Sequence, residues 1–168
     1  PWRLEATRCL AYLTIESSGP IPHRYREVMG NRVFGCDDCL TACPWNRFAP
    51  ETKEAMFLPR PALVAPKLLQ FAFLDDAQFR SLFSKSGIKR SGRIRFMRNL
   101  AIALGNWGSE AAFPALRHLF SDPDPLIRGH AAWALARNKH SEAIELLISG
   151  EKTEQDASVL AEIHLALN

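Results

Sequence analysis

The chain has 168 residues, of which 47% are hydrophobic and 23% are charged, and its formal net charge is +3. This composition predicts a normal packed core in one or two small domains and argues against a disordered or strongly polyionic chain. Roughly eighteen consecutive apolar residues are needed to span a membrane. The sequence has no such run, so we expect no membrane-spanning helix.

The first 48 residues are dominated by their cysteines. The run from Cys36 to Pro44 reads Cys-x2-Cys-x3-Cys-Pro, which is the end of the bacterial ferredoxin run Cys-x2-Cys-x2-Cys-x3-Cys-Pro. We interpret Cys9 as the displaced first ligand of that run. In two-cluster ferredoxins the cysteine before proline binds the other cluster. Cys9, Cys36 and Cys39 are therefore predicted to hold one [4Fe–4S] cluster, and Cys43 a second.

A structural zinc site is the alternative interpretation of these cysteines. Zinc sites favour two Cys-x2-Cys pairs or mixtures of cysteine and histidine, whereas this chain has one such pair followed by a Cys-x3-Cys step and a proline. His23 and His118 lack ligand spacing to the cysteines, and we interpret them as surface or packing residues. Iron–sulfur assembly also needs a reducing compartment, so we expect a cytoplasmic protein.

The rest of the chain divides into a connector and a helical domain. Residues 1–48 are predicted to be a partial ferredoxin-type [4Fe–4S] region, and residues 49–67 a proline-rich connector. Residues 68–168 are predicted to be an α-helical domain. Near its start Asp75 is a candidate helix N-cap, and the apolar residues that follow share one helical face.

An internal repeat organises the helical domain. Residues 98–105 align with residues 129–136, which lie 31 positions later, and a weaker third copy covers residues 163–167. Further helices are predicted over 110–120 and 141–148. A new helix is predicted to start with Asp124 as its N-cap and Pro125 as its first residue. Trp107 and Trp133 are expected in the core. The predicted fold class is mainly α, with a ferredoxin-like cysteine segment followed by short HEAT-like α-hairpin repeats.

Residues 85–98 form a basic segment that contains no acidic residue. Clustered cations with glycines and serines are typical of surfaces that bind polyanions, and nucleic acid is the obvious partner. The alternative is a solvated basic face. The cations of the segment are Lys85, Lys89, Arg90, Arg93, Arg95 and Arg98.

Three further residues lie close to the predicted ligands. Asp37 and Asp38 are expected to hydrogen-bond to local amides, and the alternative is that they face a second cofactor. Trp45 is expected to shield the cluster from water. The sequence contains no Ser-His-Asp pattern, phosphate loop or dinucleotide fingerprint, so we assign no catalytic residue to this chain.

Several of these motifs together resemble epoxyqueuosine reductase, in its C-terminal half. The resemblance runs in order through nearly the whole chain and also includes the HEAT-like tail. The matching segments are Arg8–Glu16, Gly19–Pro22, Met29–Cys39, Cys43–Asn46, Ile88–Arg90 and Arg98–Asn99.

This resemblance implies an oxidoreductase that depends on cobalamin and two [4Fe–4S] clusters. The family reduces the epoxide of epoxyqueuosine in the tRNA anticodon to give queuosine, and electrons pass through the clusters to cobalt. It implies the same ligand division as the spacing, with Cys9, Cys36 and Cys39 on the second cluster and Cys43 on the first. Cys36 and Asp37 match the loop beside the cobalamin, and the stretch around Arg90 and Arg93 matches the part that grips tRNA.

The resemblance also bears on the extent of the chain. Because the chain starts at Pro1 and lacks the family's cobalamin domain, we expect it to be part of a longer, monomeric protein and to be inactive alone. Two other functions stay open from the residues. One is a zinc-stabilised RNA-binding scaffold without catalysis, and the other is a generic ferredoxin-type electron carrier whose repeats bind a protein partner.

Overall fold

The computed structural model describes residue 3 and residues 5–168, and within them the chain forms α-helices and 3₁₀ turns but no β-strand. This confirms the prediction of a mainly α protein. None of the described helices is both long and apolar enough to cross a membrane. The α-helices are α1 (Leu10–Ile15), α2 (His23–Arg26), α3 (Asp38–Thr41), α4 (Asp76–Leu82), α5 (Gly87–Trp107), α6 (Phe113–Phe120), α7 (Pro125–Ala136), α8 (Glu142–Thr153) and α9 (Ala157–Leu167).

Helices α5 to α9 form the predicted repeat stack, in which α7 packs between α5 and α9. Small residues allow the close approach. A Cβ atom added at Gly105 on α5 would lie 2.8 Å from the Cβ of Ala134 on α7, closer than real Cβ contacts come. A larger residue at position 105 would therefore force the two helices apart.

Helix starts follow the sequence signals closely. The Asp124 side chain accepts a hydrogen bond from the backbone N–H of Leu126, directly before Pro125 opens α7. At the start of α4, Asp75 and Gln78 form a reciprocal capping box. Both predicted N-caps are confirmed, because each satisfies backbone donors that the first helical turn leaves unpaired.

The apolar core joins the repeat helices to α4 and the segment before it. Phe71, Phe79, Phe83 and Phe96 pack ring against ring, with centroids 4.9–5.8 Å apart. Trp107 does not belong to this core, because it lies in the last turn of α5 and is 54% exposed. The expectation that it is buried was wrong.

The connector has little regular structure. Residues 49–67, all of which the structure describes, contain two short 3₁₀ turns at Ala55–Phe57 and Pro61–Leu63. Prolines remove backbone donors and fix φ, which favours such turns over longer helices. The domain boundaries on either side of this segment stay predictions.

Polar side chains of the repeat stack hold the cysteine region in place. Arg26 on α2 is buried and makes a two-pronged ion pair with Glu162 on α9, at 2.6 and 2.8 Å. Asn106 on α5 donates hydrogen bonds to the carbonyl oxygens of Arg26 and Gly30 at 2.7 and 2.9 Å. The cysteine region and the repeat stack therefore meet at an interface, called the joint below, that is held by hydrogen bonds as well as by apolar packing.

His130 belongs to the same joint and must be neutral to make its contacts. Its Nε2 accepts the backbone N–H of Ile21 at 3.1 Å, while its Nδ1 lies 2.7 Å from the carbonyl oxygen of Leu126 and donates to it. A protonated ring has no acceptor. Burial, followed by the nearby Arg26 charge, lowers the pKa of His130 to about 3.

This lowered pKa predicts a specific acid sensitivity of the fold. Below pH ~6.5 the unfolded chain binds a proton at His130 that the folded chain does not, so the free energy of unfolding falls by up to about 1.4 kcal/mol per pH unit. His130→Gln should be less stable than wild type at pH 7.5 but should lose this part of the slope between pH 6.5 and 5. Urea titrations across that range measure it, and equal slopes in both proteins would contradict it.

Candidate iron–sulfur site and basic segment

Three of the four predicted ligands lie at or next to the starts of short helical elements, Cys36 lies in a loop, and none of the four is in a disulfide. Cys9 is the residue before α1, Cys39 lies in α3, and Cys43 precedes the 3₁₀ turn Pro44–Phe48. Cys36 follows Gly35, whose φ of +77° is one that glycine adopts without strain. Because helix starts expose unpaired backbone N–H groups, these positions suit anionic thiolates.

Two segments that carry ligands are joined directly. The backbone N–H of Gly35 donates to the hydroxyl of Thr14 on α1 at 3.0 Å. Thr14 lies five residues after Cys9, which is roughly 7–8 Å along a helix at 1.5 Å per residue. The loop that carries Cys36 is thereby attached to the helix that Cys9 precedes.

The loop between Cys36 and Cys39 is shaped by its two aspartates. Asp37 adopts a left-handed backbone conformation with φ of 59°, and its carbonyl oxygen accepts the N–H groups of Leu40 and Thr41. The Asp38 carboxylate accepts two hydrogen bonds from Arg32, at 2.9 and 3.0 Å. The sequence analysis expected the Asp38 side chain to hydrogen-bond to local amides. It pairs with a guanidinium instead.

The Arg32–Asp38 pair places charge beside a predicted ligand. Hydrogen bonding from Arg32, and secondly from the Cys36 thiol, lowers the pKa of Asp38. The same contact with Asp38 raises the pKa of Arg32. Both groups stay charged at neutral pH, and they form an ion pair that is mostly exposed on the Asp38 side, two residues after Cys36.

The fit of the cysteines to a metal group depends on its size. Among the described residues, no three His, Cys, Asp or Glu side chains surround a point suitable for a single metal ion. Cys9, Cys36 and Cys43 are half-buried and Cys39 is exposed. A [4Fe–4S] core is larger than a single ion and needs four thiolates spread around it. The assignment of each cysteine to a cluster stays a prediction.

Trp45 does not cover the cysteines as expected. It follows Pro44 and is 76% exposed, with its ring centroid 6.0 Å from that of Phe48. Within the described residues nothing packs over it closely enough to bury it. A side chain this exposed cannot exclude water from the neighbouring thiols.

The basic segment begins just before α5 and continues through its first half, and much of its charge faces the protein. Helical geometry is interrupted at Gly92, with φ of 82° and ψ of 161°. Just after this break, Arg93 pairs with the buried Asp122 at 2.7 Å and exposes 15% of its side chain. Arg95 is half-buried and donates to the carbonyl oxygen of Ile15 at 2.9 Å.

Arg98 is fully buried, so its prediction as an RNA contact was wrong. Its guanidinium donates to the carbonyl oxygens of Leu13, Ser17 and Gly19 at 2.6–2.7 Å, and to the side chain of Asn99 at 3.0 Å. Burial lowers the pKa of Arg98 to about 10, so the group still carries its charge at neutral pH. The prediction that Arg93 contacts RNA is corrected in the same way, because Arg93 forms an ion pair with the buried Asp122.

Three cations of the segment face outward. Lys85 is exposed and Lys89 is half-buried, and neither pairs with another described residue. Arg90 is 64% exposed in its ion pair with Glu16, and its hydrogen bond lowers the pKa of that carboxyl. Exposed ion pairs are weak, so Arg90 can exchange Glu16 for a phosphate.

Sequence reasoning missed the buried polar residues that join the two regions. Asn99 and His130 occupy equivalent positions in consecutive repeats, 31 residues apart, within runs of Ala, Leu and Ile. A polar residue in an otherwise apolar helical stripe was the available signal, because a buried polar group needs a partner. The sequence did not show which segment supplied that partner.

Two sequence families match the chain. The family described as "4Fe-4S double cluster binding domain" matches residues 1–46, which contain every cysteine. The family described as "HEAT repeats" matches residues 87–168. The chain is thus an iron–sulfur protein segment joined to a HEAT-repeat domain.

Individual relatives are more specific. The chain is 48% identical over 139 residues to the epoxyqueuosine reductase of Xanthomonas campestris pv. campestris, which covers 82% of this chain and 39% of that protein. It is 42% identical over 163 residues to the epoxyqueuosine reductase of Shewanella oneidensis, and this match covers 95% of this chain and 41% of that protein. It also superimposes with a TM-score of 0.92, at 31% identity, on a crystal structure of epoxyqueuosine reductase with an epoxyqueuosine-modified tRNA stem loop, covering 99% of this chain and 44% of that one.

The chain is therefore similar to part of the epoxyqueuosine reductases, and the resemblance seen in its motifs is confirmed. It spans about two fifths of the length of these relatives, since the matches cover 39–44% of them.

Arg98 gives a test of the joint between the two regions. Arg98→Met should lower the free energy of unfolding by roughly 3 kcal/mol, because it leaves buried carbonyl oxygens without donors. The matched control is Arg117→Met on the exposed face of α6, which should stay within about 0.5 kcal/mol of wild type. Chemical denaturation measures both, and equal effects of the two substitutions would contradict the prediction.

Proposed function

We propose that this chain is the electron-relay and tRNA-contacting part of an epoxyqueuosine reductase, an oxidoreductase that converts epoxyqueuosine in tRNA to queuosine. The observation that carries the proposal is the set of cysteines without disulfides, each at a helix start or loop, inside a segment that matches a double-cluster domain. The homologous reductases support the reaction, and the solved complex supports a tRNA partner.

In this proposal the cysteines are divided between two [4Fe–4S] clusters. Cys9, Cys36 and Cys39 bind one cluster and Cys43 binds the other, with the remaining ligands supplied by the rest of the protein. The contact between Thr14 and Gly35 supports the first group, because it attaches the Cys36 loop to the helix after Cys9. Cytoplasmic location follows from the need for reduced thiols.

A cobalamin is proposed beside the loop at Cys36 and Asp37. Such a cofactor supplies a reducing cobalt centre for opening the epoxide. Asp37 is exposed and adopts a left-handed backbone conformation directly before α3, so its side chain is accessible to a bound group. The neighbouring Asp38 is already engaged by Arg32, which leaves Asp37 as the aspartate of the loop that is proposed to face the cofactor.

The proposed tRNA surface is narrower than the basic segment as a whole. Lys85, Lys89 and Arg90 supply its outward charge, whereas Arg93 and Arg98 act in the fold. Arg95 is intermediate between the outward-facing and the structural cations, because it is half-buried and donates a hydrogen bond to the carbonyl oxygen of Ile15. The anticodon stem loop is the proposed ligand, and phosphates are its anionic groups.

Metal analysis of the complete protein tests the cluster proposal. Anaerobically purified protein should contain about eight iron and eight labile sulfide per chain, as two [4Fe–4S] clusters require. Cys9→Ala should lower both contents by about half and remove one set of EPR signals from the reduced protein. About one zinc per chain with no labile sulfide would contradict the proposal and favour a zinc-stabilised scaffold.

Binding of an anticodon stem loop across a salt series tests the tRNA surface. Lys85→Gln with Lys89→Gln should weaken binding several-fold and lower the slope of log affinity against log salt by about 1 to 2, one unit for each lost phosphate contact. Lys152→Gln, an exposed cation on α8, is the matched control. Unchanged affinity of the double variant would argue for a generic electron carrier.

A further inference from the structure

One hydroxyl connects the flanks of two predicted cluster ligands. Thr14 is 1% exposed, and its Oγ1 donates to the carbonyl oxygen of Leu10 at 2.8 Å. The same oxygen accepts the backbone N–H of Gly35 at 3.0 Å. Leu10 directly follows Cys9, and Gly35 directly precedes Cys36. A hydroxyl can donate once and accept as well, so this single atom satisfies both segments.

A side chain from the repeat stack holds the same two segments. Asn99 on α5 is fully buried, and its Nδ2 donates to the carbonyl oxygens of Thr14 and Val33, each at 2.8 Å. Its Oδ1 accepts from Arg98 at 3.0 Å, which fixes the orientation of the carboxamide. Both amide hydrogens are thus used, one on the Cys9 side and one on the Cys36 side.

We propose that Thr14 and Asn99 are positioning residues that set the separation of Cys9 and Cys36 in the cluster site. The inference rests on the proposed function, since it requires these cysteines to bind a common cluster. Residues that orient metal ligands typically change metal affinity or activity by 10–100-fold when they are replaced. The repeat domain then contributes to the cluster site through α5 as well as to RNA binding.

Local packing allows this role to be separated from folding. A second apolar cluster, formed by Leu13, Ile21, Met29 and Ile102, anchors the cysteine region to α5 independently of the Thr14 hydroxyl. Valine matches threonine in shape but has no hydroxyl. Thr14→Val therefore keeps the packing and removes the contact between the two ligand-bearing segments.

The experiment uses the complete reductase with its clusters reconstituted. Thr14→Val should lose iron from one cluster to a chelator at least about tenfold faster than wild type, and should shift the EPR g values of that cluster before any iron is lost. Thr14→Ser restores the hydroxyl and should behave as wild type. Thr153→Val removes an exposed hydroxyl on α8 and should change nothing.

Several results would overturn the inference. Wild-type iron retention and g values in Thr14→Val would do so, and so would equal lability of the valine and serine variants. Faster loss that only follows a lower Tm, with unchanged g values, would reduce Thr14 to a structural role. If the valine variant does not fold, Thr14→Ala removes the same hydroxyl with less bulk and is read in the same way. If the Cys9→Ala variant contains as much iron as wild type, the proposed function itself is overturned.

Discussion

The buried hydrogen bonds from Arg98 and Asn99 to backbone carbonyl oxygens are the interaction on which the rest of this structure depends. The cysteine region has only short helices, so the buried part of its backbone that they leave unpaired must be satisfied by groups outside them. Arg98 and Asn99 provide such groups from one turn of α5. An unpaired buried donor or acceptor is costly, which fixes a single arrangement of loop and helix.

The repeat architecture accounts for how this joint is built. Consecutive copies place Asn99 and His130 at the same position of α5 and α7, and both face the cysteine region. Glu162 on α9 extends the series by pairing with Arg26. The stack therefore presents a row of polar groups on one face while its alanines pack the helices together. A helical repeat of this kind is a rigid support for an irregular loop.

Burial and pairing in the fold also decide which positive charges of the chain reach the surface. From residues 85 to 98 the sequence shows one continuous basic segment, but burial divides it into groups with different roles. Arg98 donates its hydrogen bonds to backbone carbonyl oxygens and Arg93 forms an ion pair with Asp122, whereas Lys85 faces outward. An internal guanidinium contributes to stability and not to attraction of a polyanion, since its donors are already used. Counting charges along the sequence overstates the positive surface that is open to a polyanion.

Sequence alone determined the local features of this protein: the helical repeat, the N-caps at Asp75 and Asp124, and the cysteine spacing of a cluster-binding run. Each of these follows from neighbouring residues, because caps, periodicity and ligand spacing act over a few positions. Tertiary structure alone decided that Arg98 is buried and that Trp107 is exposed. The burial of Arg98 depends on carbonyl oxygens 79–85 residues away in sequence, as in its contact with Leu13. No local pattern specifies which distant carbonyl oxygen a buried donor will meet.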